Sequence, residues 1–432
     1  MKREGEVLDV PQDHDRQPAY LPNTRMRRPI LALALTLALP ANAQTVMRFA
    51  LDRAAEGYVT VVPDARYDPV RGYGWDDAAR FSVRLPEGNY RVTLTLGGRT
   101  ATETTVKAEG RRLMLETVRT PAGKSVTRSF IVNVRTAALP EPPANAPGGV
   151  AVRLKPSEIG SVTWDDRLTL EFLGATRHIS RIAIEPADVP TLYLTGDSTV
   201  TDQRAEPAAS WGQMLPRFLD AGIAVANHAE SGETLKSFLT SHRLDKALSR
   251  MRAGDFLLIQ FGHNDQKVQW PQTYADPAIT FRAYLRAYIA EARRRGATPI
   301  LVTSPERRNF DAAGRIVPSH GDYPAAVRAV AREDGVALID LTPMTVAFYE
   351  ALGPARAPLA FNDGGKDKTH HNNYGAYALA QMVASRLAAA GPELAGHVLP
   401  AARTFDPAHP LPPETFALPA SGIQSDKRPE GN

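Results

Sequence analysis

The pattern of hydrophobic and polar positions changes near Pro190. Before it, apolar residues alternate with polar ones in short runs, separated by turn sequences such as PEGN at 86–89. Alternation with a period of two predicts strands, and strands at this spacing without any helix-length period predict a β-sandwich. The runs are YVTVV at 58–62, FSVRL at 81–85, YRVTLTL at 90–96, SFIVNV at 129–134, LTLEFL at 168–173 and ISRIAI at 179–184.

After Pro190, strand-like runs alternate with helical patterns, which predicts an α/β fold: a mostly parallel sheet with helices on both faces. The strand-like runs are 191–195, 223–227, 255–261, 298–303 and 336–341. The helical patterns are near 210–220, 235–251, 279–295, 322–333, 343–352 and 373–390.

The two ends of the chain have patterns of their own. Two arginines at 27–28, an apolar stretch at 30–39 and the small residues Ala41-Asn42-Ala43 are typical of a secretory signal peptide, and the stretch is too short to span a bilayer. We therefore expect an exported protein, periplasmic or secreted, whose mature form starts near Gln44. The predicted organisation is an upstream segment and signal peptide at 1–43, a β-sandwich at 44–189, an α/β domain at 190–397 and a Pro-rich tail, extended or disordered, at 398–432.

Composition narrows the classes of function. Of 432 residues, 43% are hydrophobic and 23% charged, which excludes a wholly disordered chain or a multi-span membrane protein. The net charge of +4 comes without the concentrated Lys/Arg runs of a nucleic-acid or polybasic membrane binder, so we expect no nucleic-acid partner. The absence of cysteine excludes a thiolate nucleophile and Cys-ligated zinc. Four aspartates lack the regular spacing of calcium ligands, so we expect chemistry without a metal or cofactor; they are Asp64, Asp68, Asp76 and Asp77.

Polar residues follow the predicted parallel strands. In a doubly wound sheet, ligands bind beyond the carboxyl ends of the strands. The first strand there leads into GDST at 196–199, the second into NHAESGE at 227–233 and the third into GHND at 262–265, while DKTH at 367–370 precedes the last helix. Four loops therefore bring a serine, a glycine turn, an asparagine and an Asp/His pair to one edge.

This set of side chains is sufficient for acyl transfer. The Ser198 hydroxyl needs a base, and the imidazole of His370 suits that task. Asp367, three residues earlier, can accept the other ring N–H and orient the ring. The backbone N–H groups of Ser198 and Gly232 and the side-chain amide of Asn264 are the candidate oxyanion donors. We also expect Ser198 to precede a helix whose dipole favours negative charge.

The four blocks, in this order, resemble those of the GDSL or SGNH hydrolases. The wider pattern is similar to the rhamnogalacturonan acetylesterases, over residues 191–390. It consists of GDSTV, SWGQMLP, QFGHND, TSPERR, GDYPAAVRAVARE, ALIDL and DKTHHNNYGA. The resemblance implies a three-layer α/β/α, flavodoxin-like domain, with Ser198 as nucleophile, His370 as base, Asp367 as its orienter, and Gly232 and Asn264 as oxyanion donors.

The chain differs from the family pattern in one block, and its β-sandwich has a resemblance of its own. Where family members often have Gly-Gly-Arg-Ser in the second block, this chain has Ser231-Gly232-Glu233-Thr234. The β-sandwich, with YDPVRGYGW and LPEGNYRVTLTLGG, is similar to galactose-binding-like accessory domains found ahead of such esterases.

Four residues near the predicted site are candidate substrate contacts. Arg307 and Arg308 follow the fourth parallel strand and suit the carboxylates of an acidic polysaccharide, although solvated surface arginines are an equal alternative. Trp270 and Tyr274 follow GHND and can stack on a sugar ring, although core packing is the commoner fate of such aromatic residues.

We expect a serine esterase that removes acetyl groups from a plant cell-wall polysaccharide, rhamnogalacturonan in the first place. Acetylxylan or another glycan, or a broader lipase or thioesterase activity, are alternatives within the enzyme class. A carbohydrate-binding protein without turnover is the alternative from another class. The oligomeric state and the acetylated hydroxyl stay open.

Overall fold

The computed structural model describes residues 46–431, so the predicted signal peptide and the mature start near Gln44 lie outside the described residues. The first ten strands are β1 Met47–Ala50, β2 Val59–Thr60, β3 Tyr73–Trp75, β4 Arg80–Arg84, β5 Gly88–Leu96, β6 Thr102–Ala108, β7 Arg112–Thr120, β8 Val126–Val134, β9 Arg167–Leu173 and β10 Ile179–Pro186. They form two five-stranded sheets, in the orders β2-β1-β10-β5-β8 and β3-β4-β9-β6-β7.

The two sheets pack as the predicted sandwich. Along β5, buried residues alternate with half-buried ones, as expected for a strand with one face in a core. That core combines side chains of both sheets, such as Phe49 and Val92 from one and Phe81 and Leu170 from the other. The sequence pattern missed β1, β3, β6 and β7.

The remaining strands are β11 Thr191–Gly196, β12 Ala208–Ala209, β13 Ala224–Asn227, β14 Phe256–Gln260, β15 Thr298–Val302, β16 Ala337–Ile339 and β17 His371–Asn372. The helices are α1 Trp211–Met214, α2 Leu235–Thr240, α3 Arg243–Arg250, α4 Thr280–Arg294, α5 Tyr323–Glu333, α6 Leu341–Arg356, α7 Asn373–Ala390, α8 Pro392–Ala395 and α9 Pro400–Arg403. Short 3₁₀ turns occupy Leu215–Phe218, Ala357–Ala360, Asp363–Gly365 and Pro413–Thr415.

Five of these strands form a parallel sheet in the order β13-β11-β14-β15-β16. Numbered along the chain this is 2-1-3-4-5, the flavodoxin-like order, and its chain reversal lies between β11 and β14. Leu258 of β14 packs in a cluster with α1, α6 and α7, whereas the adjacent Leu257 packs with α3, α4 and α5. Helices therefore cover both faces, and the predicted three-layer α/β/α fold is confirmed.

One predicted helix is interrupted. The pattern at 235–251 forms α2 and α3, because His242 between them has a left-handed backbone with φ of 61°. A left-handed residue cannot continue a right-handed helix, and Asp245 holds the ring of His242 at 2.8 Å.

Buried ion pairs join the sandwich to the α/β half. Lys107 of β6 lies 3.1 Å from Glu206, and Arg112 of β7 lies 2.7 Å from Asp202. The change from antiparallel to parallel sheets falls between β10 and β11, but the boundaries 44–189 and 190–397 stay predictions.

The Pro-rich tail has little regular structure, as expected, but it is packed onto the protein. Phe416 packs against the rings of Tyr374 and Tyr377 of α7, with centroid distances of 5.6 and 5.1 Å. Ser421 is buried and hydrogen-bonds to Lys107 at 2.9 Å. The apolar residues between the prolines therefore cover the hydrophobic surface of α7.

A buried pair at the junction leads to a stability prediction. Glu158 and Arg243 are both fully buried and hydrogen-bonded to each other. Removing one charge leaves the other buried, so Glu158→Gln should lower the free energy of unfolding by about 3 to 5 kcal/mol. Urea denaturation measures this change in the free energy of unfolding. The control is Glu333→Gln, whose partly exposed carboxylate pairs with surface arginines and whose loss should cost much less stability; equal losses would contradict the prediction.

Candidate active site

Ser198 lies in a tight turn directly after β11. The carbonyl of Asp197 accepts the N–H groups of Val200 and Thr201 at 3.0 and 3.1 Å, and the amide of Gln203 donates to the carbonyl of Ser198 at 2.7 Å. These bonds fix the backbone on both sides of the serine. The next helix, α1, begins at residue 211 within the predicted range near 210–220, but it is thirteen residues away and only four residues long. The expected dipole contribution at Ser198 is therefore absent, and the serine has the amides of one turn instead.

The three predicted catalytic side chains form one hydrogen-bonded chain. The Oγ of Ser198 lies 2.8 Å from Nε2 of His370, and Nδ1 of His370 lies 2.8 Å from Oδ2 of Asp367. All three residues are buried. A carboxylate at Nδ1 holds the proton there, which leaves Nε2 as an acceptor for the serine proton.

The local sequence fixes the carboxylate of Asp367. Its Oδ1 accepts the N–H groups of Thr369 and His370 at 2.8 and 3.0 Å, which turns Oδ2 toward the imidazole. Burial opposes the charged form, but hydrogen bonds from His370, the charge of its ring and the backbone N–H groups together lower the pKa of Asp367. The carboxyl group is therefore an anion at any pH at which a histidine can act as a base.

Two of the predicted oxyanion donors, Gly232 and Asn264, lie close together at this edge of the sheet. A Cβ atom placed on Gly431 would lie 3.1 Å from the nitrogen of Gly232 and 2.9 Å from Oδ1 of Asn264. Nδ2 of Asn264 donates to the carbonyl of Glu233 at 3.0 Å. An amide nitrogen carries two N–H groups, so the second can be directed at an oxyanion.

Lys267 orients the amide of Asn264, a contact that the sequence analysis missed. Its Nζ donates to Oδ1 of Asn264 at 3.1 Å and lies 4.2 Å from the ring centroid of Trp270. Burial and the charge of Arg307 lower the pKa of Lys267 to about 8, against the opposing effect of Asp197. Lys267 follows Asn264 by three residues, and this short spacing was the sequence feature from which the contact could have been predicted.

Buried carboxylates hold the loops of the site to one another. Asp265 accepts the N–H of Leu235 at 2.9 Å and that of Gly262 at 2.9 Å, which ties the GHND loop to the start of α2. Burial raises the pKa of Asp265 to about 7. Asp197 accepts the N–H of Thr199 at 2.9 Å and lies 3.3 Å from His263, so it supports the turn around the serine.

The four candidate substrate contacts have different surroundings. Trp270 is partly exposed and Tyr274 half-buried, on the turn after GHND. Arg307 lies 3.2 Å from Nδ1 of His320 and 3.3 Å from the carbonyl of His263. Arg308 is buried, donates to the carbonyl of Asp367 at 3.3 Å, and so supports the loop of the Asp/His pair. A role in substrate binding stays a prediction for all four.

Two of the four aspartates considered as calcium ligands, Asp68 and Asp77, accept hydrogen bonds within turns. Asp68 accepts the N–H groups of Val70 and Arg71, and Asp77 accepts those of Ala79 and Arg80, all at 2.8 Å. Across residues 46–431, no group of three or more His, Asp or Glu side chains is arranged to hold a metal ion.

Comparisons with known proteins agree on the chemistry. The GDSL-like Lipase/Acylhydrolase family matches residues 194–379, which contain Ser198, His370 and Asp367. Rhamnogalacturonan acetylesterase RhgT of Bacillus subtilis (strain 168) is 38% identical over 221 residues, 48% of this chain and 94% of that protein. The uncharacterized esterase YxiM of the same organism is 27% identical over 365 residues, 77% of this chain and 87% of that protein. An X-ray structure of YxiM, 26% identical, covers 79% of this chain and 98% of its own at a TM-score of 0.46.

The fold and the matched region define a carboxylic ester hydrolase with the SGNH-type sheet. The match to RhgT extends over nearly the whole of that protein. The chain belongs to the GDSL-like lipase/acylhydrolase family, and its homologues include rhamnogalacturonan acetylesterases.

Proposed function

We propose that the protein is an exported serine esterase that removes O-acetyl groups from a plant cell-wall polysaccharide, with rhamnogalacturonan as the substrate. The hydrogen-bonded chain from Ser198 through His370 to Asp367 carries the proposal. The substrate class rests on RhgT and on the rhamnogalacturonan acetylesterase of Emericella nidulans, 24% identical over 86% of its length.

The geometry supports an acyl-enzyme mechanism. Oγ of Ser198 attacks the acetyl carbonyl while Nε2 of His370 takes its proton. The oxyanion of the tetrahedral intermediate accepts from the backbone N–H groups of Ser198 and Gly232 and from the amide of Asn264. His370 then returns the proton to the departing sugar oxygen, which leaves an acetyl-serine.

Deacylation repeats the sequence with water. His370 takes a proton from water as its oxygen attacks the acetyl carbon, and the same donors hold the second oxyanion. The bond to Oγ of Ser198 breaks, the serine regains its proton from His370, and acetate leaves.

Acetate release from a panel of substrates tests the proposal. The purified protein should hydrolyse acetylated rhamnogalacturonan with a higher kcat/KM than acetylated xylan, and both in preference to esters of long acyl chains. A higher kcat/KM for xylan would replace the pectin substrate by another glycan, and a preference for long chains would indicate a lipase or thioesterase.

Export is part of the proposal and rests on the signal-peptide pattern at 26–43. Within the described part of the chain, every helix is too short or too polar to cross a membrane. Detection of a mature protein starting near Gln44 in the periplasm or medium would support export, whereas an uncleaved protein in the cytoplasm would contradict it.

A further inference from the structure

The segment 428–431 lies against the predicted oxyanion donors. The nitrogen of Gly431 is 3.7 Å, and Cβ of Glu430 is 3.8 Å, from the position that a Cβ on Gly232 would take. The carbonyl of Gly431 accepts from Nζ of Lys267. Arg428 holds the start of the segment through an ion pair of 2.7 Å with Asp363.

This segment lies beside two of the groups that the acetyl group must reach. Ser198 is 3% exposed and Asn264 fully buried, yet an ester carbonyl has to reach both side chains for reaction. Gly431 lies next to Gly232 and Asn264, the same two residues whose N–H groups would receive the carbonyl oxygen. The segment and a bound substrate therefore exclude each other.

The carboxylate of Glu430 indicates what kind of group the site accepts beside the ester. Its Oε2 lies 3.6 Å from Nζ of Lys155. Lys155 belongs to the connection between the sandwich strands β8 and β9, and its Nζ also contacts the carbonyl of Ser231 and lies 3.3 Å from Oε1 of Glu233. The ammonium group thus lies next to Gly232, at 3.3 Å from the position that a Cβ on that glycine would take.

The charges behind Lys155 favour a further anion. Six side chains form a largely buried cluster of three carboxylates and three cations; they are Glu158, Glu230, Glu233, Lys155, Arg204 and Arg243. Burial, together with the charge of Glu158, raises the pKa of Glu230 to about 7. Burial thus disfavours the ionised form of Glu230, which weakens the negative charge facing the three cations and favours a further carboxylate beside Lys155.

We propose that Lys155 binds a uronic acid carboxylate of the polysaccharide substrate beside the oxyanion donors, in the place that Glu430 holds in the free enzyme. Glu430 and Gly431 are adjacent residues, so the carboxylate site and the site of the acetyl group are close together. A single sugar residue, or two consecutive residues of the polysaccharide, can therefore occupy both. The inference rests on the proposed function, since it takes an acetylated acidic glycan as the substrate.

Kinetics on two forms of one polysaccharide test the role of Lys155. We expect Lys155→Met to raise KM for acetylated rhamnogalacturonan about tenfold, relative to its effect on the carboxyl-reduced form, because a charge-assisted bond is lost. Lys155→Arg should restore most of the difference. The control is Lys124→Met, an exposed lysine in the loop between β7 and β8. Equal changes of KM for both polysaccharides would reduce Lys155 to a structural role and overturn the proposal.

Release of the segment is measured with Glu430→Gln. Loss of the pair with Lys155 should lower KM for acetylated rhamnogalacturonan about threefold, since the pair is partly exposed. Glu414→Gln, which breaks the 2.6 Å pair with Arg356 elsewhere in the tail, is the matched control and should change nothing. An unchanged or higher KM in Glu430→Gln would contradict competition between segment and substrate.

A third measurement separates this inference from the proposed function. Unacetylated polygalacturonate should inhibit hydrolysis of 4-nitrophenyl acetate competitively, and Lys155→Met should raise its inhibition constant about tenfold. Inhibition without any release of acetate from polysaccharides would refute the proposed substrate and keep the carboxylate site. Release of acetate without inhibition would keep the function and refute the site.

Discussion

Replacement of Ser198 by alanine is expected to lower kcat/KM for acetyl esters by about 10⁴-fold or more. The variant lacks the hydroxyl oxygen that lies 2.8 Å from Nε2 of His370, and removal of a serine nucleophile leaves only the catalysis of the oxyanion donors. Acetate release from rhamnogalacturonan measures the loss.

The control for this variant is Ser249→Ala, whose hydroxyl donates to a carbonyl within α3 at 2.8 Å and should be dispensable. Binding of deacetylated glycan by Ser198→Ala should persist, because the change removes one atom. A variant that retains activity would show that the nucleophile is another group. A wild-type protein that binds glycan without releasing acetate would favour the carbohydrate-binding alternative.

Replacement of Asp367 by asparagine is expected to lower kcat/KM by about 10⁴-fold. The two backbone N–H groups that bond to Oδ1 require an oxygen there, so the amide NH₂ of the asparagine would face Nδ1 of His370. The ring would then carry its proton on Nε2 and donate to Ser198, which prevents it from accepting the serine proton. Kinetics and the folded-state stability should be measured together.

The chain offers a matched control for this prediction. Asp406 and His409 have the same spacing as Asp367 and His370, and the same Oδ2 to Nδ1 distance of 2.8 Å, on the surface of the tail. Asp406→Asn should leave kcat/KM unchanged. A loss of less than about tenfold in Asp367→Asn would indicate that His370 does not depend on this carboxylate for its tautomer.

This pair of motifs illustrates how far the sequence could predict the site. The spacing D-x-x-H is enough to form the Asp–His hydrogen bond at both places, because the bond is local. What distinguishes His370 is Ser198, 172 residues away. The proximity of Ser198 and His370 was predictable because the topology of a parallel sheet brings the ends of its strands to one edge.

Contacts without such a topological rule were not predictable. Lys155 reaches Ser231 from a loop of the sandwich, 76 residues earlier, and Lys267 meets Gly431 across 164 residues. Strands β6 and β7 were missed because the charged side chains of Lys107 and Arg112 are buried where these strands meet the α/β half. In these two strands, therefore, a polar residue does not indicate a position that faces solvent. The break at His242 was missed because no glycine or proline marks it.

The ion pairs between the sandwich and the α/β half make it unfavourable to separate these two parts of the chain. Asp202 and Glu206 follow Ser198 by four and eight residues, and their partners Arg112 and Lys107 come from the sandwich. A truncated esterase cut between β10 and β11, to the size of its shorter relatives, would carry two buried carboxylates without their cationic partners just downstream of its nucleophile. A chimaera that joins the α/β half to a different sandwich would also need uncharged residues, or new cationic partners, at positions 202 and 206.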